Sequence, residues 1–119
     1  MALKIENEKI VGTIDNLQEK LNGKLPVNRL ELLYLVNSWG RTESFYIFDI
    51  NQDIYIKAYE SKECYDLSEL DTSEITNMES IFEYSNYNGN IFNWDVSNVT
   101  NMTDMFRETK KFKDRKSVV

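Results

Sequence analysis

The sequence predicts an α+β chain in which N-terminal helices and a β-hairpin cap a short solenoid of two repeat coils. Three observations carry that expectation. Apolar residues at helical spacing occupy the first third of the chain, and two aromatic and β-branched runs follow, parted by Asn51-Gln52. The segment LDTSEITNMESIF at 70–82 then returns 24 residues later as WDVSNVTNMTDMF at 94–106. A length of 119 residues fits one folding unit, divided into a cap region at 1–62, two repeat coils at 63–113 and a basic tail at 114–119.

The helices come first. In IDNLQEKLNG, Leu17 and Leu21 lie one turn apart, with Asp15 placed as N-cap and Gly23 as the stop. In LPVNRLELLYLVNSWG, Pro26 suits a first helical turn, Leu30, Leu32, Leu33 and Val36 form a broad apolar face, and Gly40 ends the segment. SFYIFDI and DIYIKAY then change the period, which places strands at about 45–50 and 54–59.

Aligning residues 66–82 on 90–106 gives six identities: Asp71 with Asp95, Ser73 with Ser97, Thr76 with Thr100, Asn77 with Asn101, Met78 with Met102, and Phe82 with Phe106. Four further pairs keep an apolar group in register, namely Leu67 with Ile91, Leu70 with Trp94, Ile75 with Val99, and Ile81 with Met105. Within a copy, Ile91-x-x-Trp94-x-Val96 has the L-x-x-L-x-L form of a leucine-rich-repeat strand, so Trp94 and Val96 are expected inward and Asp95 outward. Ser97-Asn98 and Ser73-Glu74 supply turn residues, and Val99-x-x-Met102-x-x-Met105-Phe106 reads as a short helical or 3₁₀ return leg. Asn77 and Asn101 are placed to stack and bond backbone groups that the turns leave over.

WDVSNVTNM, followed by MF and, six residues after Phe106, by Phe112, resembles the BspA-type leucine-rich repeat of bacterial and mycoplasma surface proteins. The resemblance covers about residues 63–113. It implies a right-handed coil of strand, turn and short helical segment, a role in protein recognition or adhesion, and no catalytic residues. The loop EYSNYNGNIFN departs from the pattern by one residue, and Gly89 is expected to relieve its backbone.

Composition narrows the function. There is no histidine, which removes the usual general base and the commonest metal ligand, and no cofactor is expected. Cys64 stands alone, so no internal disulfide can form. No apolar run approaches the roughly 20 residues of a membrane span, and the first residues lack a secretory h-region, so a cytoplasmic location is expected, or the cell surface if a signal has been removed. Residues 1–109 carry 9 basic and 19 acidic side chains, a net −10, whereas KKFKDRKSVV holds five basic residues and one acid. Such a body repels a phosphate backbone, which argues against direct nucleic-acid binding and favours a protein partner with a basic surface.

These features point to a non-enzymatic binding module, a small intracellular binder or inhibitor acting through an acidic surface. Its most specific form is an antagonist, of phage or mobile-element origin, of a nucleic-acid-handling defence enzyme. The alternative is an exported adhesion or scaffold protein, as the repeat resemblance implies. The outward positions flanking the expected strands, Glu69, Asp71, Ser73, Asn93, Asp95 and Ser97, are the candidate partner-binding set. Tyr84 and Tyr87, with Phe92, serve either an interface or the core. An open edge on the last coil would also allow a homodimer through residues 95–113.

Overall fold

The computed structural model describes residues 2–58, 64–83, 85–87, 89–103 and 105. Among the described residues, the regular elements all lie in the first half of the chain. Strands β1 (Lys4–Glu6) and β2 (Lys9–Val11) form one antiparallel hairpin, and β3 (Phe45–Asp49) and β4 (Ile54–Ala58) form a second, separate one. Helices α1 (Leu17–Leu21) and α2 (Arg29–Ser38) stand between them in sequence.

The β1–β2 hairpin was not expected. Ile5 pairs with Ile10 in an alternation only three residues long, and the link is Asn7-Glu8, both at positive φ (54° and 62°), as a mirror-image hairpin turn requires. The second hairpin matches its prediction to within a residue at each end. Phe45, Ile47, Ile56 and Ala58 turn inward as the pleat dictates, while Tyr46 and Tyr55 face outward.

Both helices start later than their sequence signals suggest. The N-cap of α1 is Asn16, in the left-handed region and without a side-chain cap bond, in place of Asp15. Helix α2 is capped by Asn28, whose Oδ1 accepts from Glu31 N at 2.8 Å while Glu31 Oε1 accepts from Asn28 N at 3.0 Å, a complete capping box. Pro26 therefore lies outside the helix and instead forms a parallel bridge with Asp71. Gly40, at φ 65°, follows the C-cap Trp39.

The expected leucine-rich-repeat-like solenoid does not form. Among the described residues, the repeat region contains no strand or helix, and only isolated bridges join Pro26 to Asp71 and Asn77 to Asn101. Its backbone is bent too often for a strand. Asp66, Asp71 and Asn77 each accept the N–H two residues on, and each opens a turn closed by an i to i+3 bond, from Leu70 to Leu67, Ile75 to Thr72 and Ile81 to Met78. Asn90, Asp95 and Asn101 repeat the same three turns at Trp94, Val99 and Met105. Each copy is thus three Asx-initiated turns in succession. Val96, expected inward beside Trp94, is 39% exposed, whereas Trp94 is buried.

Turn side chains and shared backbone bonds hold the copies together. Met78, Ser80 and Phe82 donate their N–H groups to the carbonyls of Asn101, Thr103 and Met105, and Thr100 N donates to Thr76 O. Between the copies runs the main core, in which Phe82 stacks on Trp94 at 5.7 Å and Met78, Ile81 and Leu67 are fully buried.

Helix α2 buries most of its surface because it is covered on two sides. Leu32, Leu33, Leu35 and Val36 join the main core, while Leu30 and Tyr34 pack on the second cluster, formed by Phe45, Ile47, Ile56 and Ala58. Its polar side chains then close the exposed side of the first copy. Arg29 Nη2 donates to Glu79 O at 2.5 Å, and Asn37 Nδ2 donates to Ile81 O at 2.9 Å.

Candidate functional site

Four of the predicted site residues meet on one surface. Asp71 accepts from Ser73 N at 3.0 Å and Ser73 Oγ at 2.6 Å, and Asp95 repeats this with Ser97 N at 2.9 Å and Ser97 Oγ at 2.6 Å. The two turns are bound side by side, since Thr72 Oγ1 donates to Asp95 O and Asn98 Nδ2 donates to Ser73 O. The repeat period alone sets this juxtaposition: equal turns at a 24-residue spacing fall next to each other once the copies pair.

The two carboxylates differ in surroundings. Asp71 is half-buried, its carbonyl accepting from Val27 N, so the N-terminal segment leans over it. Asp95 is exposed. The Ser97 hydroxyl first, and then the Ser97 N–H, hold the Asp95 carboxyl below its ordinary range by bonding the charged form. Asp66 is held down in the same way, by the Ser68 N–H and then its hydroxyl.

Glu69 and Asn93 are exposed on the same copies, outside these bonded pairs. The Glu69 carbonyl closes on Gly23, where an added Cβ would stand 2.5 Å from the oxygen at φ +77°, so only glycine fits that approach. Tyr87 is not a surface anchor. It is 1% exposed, meets Trp39 edge-on at 5.4 Å, stacks with Phe82 at 6.3 Å and donates its hydroxyl to Asn90 O. Gly89, expected to relieve the backbone, leaves room for that ring, for a Cβ there would come within 2.5 Å of Tyr87 Cζ. Tyr84, Phe106, Phe112 and the basic tail at 114–119 lie outside the described residues.

Asp66 and Asn90 belong to the same set of turns but were not singled out from sequence. The available signal was an Asx residue at 66, 71 and 77 recurring at 90, 95 and 101. Reading the repeat as a strand hid it. Among the described residues, no group of three or more acidic or cysteine side chains could hold a metal ion, and no helix is long and apolar enough to cross a membrane.

Residues 50–117, more than half of the chain, match the family described as Mycoplasma protein of unknown function, DUF285. The chain belongs to that family. The match begins just before β4 and spans both copies, so the DUF285 region holds the paired turns with Asp71 and Asp95 and leaves out α1, α2 and the first hairpin. No curated protein and no solved structure matches the chain.

Proposed function

We propose that this DUF285 protein is a non-enzymatic protein-binding module that engages a basic partner surface through its paired acidic turns. The observation that carries the reading is the fixed, ionised and exposed Asp95 carboxylate, set beside the matching Asp71 turn, with Glu69 exposed two residues before Asp71 in sequence. Preset carboxylates lose little side-chain freedom on meeting an arginine or lysine, which favours a charge-assisted contact. The acidic body adds a long-range attraction for basic surfaces. Competition for the basic groove of a nucleic-acid-handling enzyme is the most specific form of the same reading.

Charge reversal by Glu69→Lys and Asp95→Lys, set against the same change in charge at Glu8 and Glu19, tests it. With polylysine as the probe at low salt, the first pair is expected to weaken binding several-fold more than the second, and added salt to weaken all binding. Equal losses from the two pairs would mean net charge alone is read. The BspA-type resemblance of WDVSNVTNM favours a second reading, an exported adhesion or scaffold protein. A signal segment encoded upstream of this sequence would select it.

A further inference from the structure

The second repeat copy leaves uncovered what the first has covered. Thr72 and Met78 of the first copy are fully buried beneath the second, yet their counterparts Val96 and Met102 are 39% and 49% exposed. The backbone shows the same asymmetry. In the first copy, Met78 N–H and Thr76 C=O both bond across to the second copy, whereas Met102 N–H and Thr100 C=O have no partner among the described residues.

We propose that this face is closed by a second copy of the same chain, docked face to face about a two-fold axis through Asn101. The backbone pattern is self-complementary. In an antiparallel pair, the residues on either side of a non-hydrogen-bonded pair exchange bonds, so with Asn101 opposite its own copy each Met102 N–H reaches the other's Thr100 C=O. Met102 of each copy then lies opposite the other's Thr100, and Val96 is covered on the same face, so each copy contributes the same patch, as a two-fold contact demands.

Head-to-tail stacking is closed off by α2. The carbonyls that an incoming second copy would have to address, those of Glu79 and Ile81, already accept from Arg29 and Asn37. Assembly therefore stops at two. Two apolar side chains and two backbone bonds fall well short of the ~1,600 Å² of a standard interface, so the dimer is weak and depends on concentration. Each protomer carries a net −6, so salt strengthens the dimer by screening repulsion, the opposite of its effect on binding a basic partner. That opposition separates this inference from the acidic-surface function, on which it does not rest.

Sedimentation equilibrium of the full chain over a wide concentration range, at low and high salt, tests the proposal. A monomer–dimer equilibrium shifted toward dimer by salt is expected, with loss of dimer in both Val96→Asp and Met102→Lys while Tyr46→Ser leaves it unchanged. Both substituted sites are exposed, so the variants should melt like the parent. A monomer at every concentration overturns the proposal, and if Val96→Asp then also lowers the melting temperature, the face is covered within the chain. A dimer that persists in either variant with a native melt, or growth beyond two copies, overturns it equally.

Discussion

Six Asx side chains do most of the shaping in the repeat region, and Asp95 shows how one of them is tuned. Its carboxylate accepts two bonds from one serine, so the folded-state pKa lies below the ordinary 3.8. Because the folded value is depressed, the stabilisation is fully present above pH 3.8 and is lost as pH falls through the lower folded value. Carbon-detected NMR titration should place the Asp95 carboxyl below 3.8, and Ser97→Ala should return it toward that figure. A Ser97→Ala variant with an unmoved Asp95 would show that the bonds do not set the titration. Asp95→Asn keeps an accepting oxygen, as Asn90 and Asn101 do at their own turns, but loses the charge that the two bonds favour, so its melting temperature near neutral pH should fall only slightly. The chemistry at this scale was legible in part. Asp95 is exposed as expected, though not through strand alternation, since Val96 beside it is exposed too; Tyr87 is a core ring because Gly89 makes space for it, and that close approach has no local sequence signal.

At the scale of elements, α2 carries the clearest consequence. Asn37 is fully buried, and its amide donates to Leu33 O within the helix and to Ile81 O in the first copy, both at 2.9 Å. Asn37→Ala strands the Ile81 carbonyl without a donor, which costs about 1–3 kcal/mol. Asn28→Ala removes the capping-box acceptor at the other end of α2 and costs about 0.5–2 kcal/mol. Urea unfolding of the two variants should rank Asn37→Ala as the more damaging and give near-additive losses in the double variant, since the sites lie at opposite ends of the helix. Elements with strong local signals were readable: the aromatic and β-branched runs gave β3 and β4, and the Gly40 stop gave the end of α2. The repeat was recognisable as a repeat, and its middle turns at Ser73-Glu74 and Ser97-Asn98 were readable as turns, but the turns before them were not, because L-x-x-L-x-L spacing suits a strand and equally suits apolar residues at successive turn corners. What decides between them is whether Asp66, Asp71 and Asn77 take the backbone N–H groups first, and they do.

For the whole molecule, the main core joins the N-terminal half to both copies through a few aromatic rings. Trp94 stacks on Phe82, its Nε1 donates to Leu67 O at 2.8 Å, and Phe82 stacks in turn with Tyr87, which meets Trp39 beyond the end of α2. This chain of contacts runs from the second copy to the helix, so loss at one end should be felt at the other. Trp94→Ala removes a buried aromatic and its bond, a loss of about 3–5 kcal/mol out of the roughly 5–15 kcal/mol typical of a domain. It also leaves Trp39 as the sole tryptophan, placed far along the chain from the substitution, with Nε1 donating to Tyr65 O. Denaturation of Trp94→Ala followed by Trp39 fluorescence and by far-ultraviolet circular dichroism should give one shared midpoint, displaced well below that of the parent. Two separated midpoints, with the Trp39 environment surviving at the parent's value, would mean that helix α2 and its neighbours hold together without the second copy.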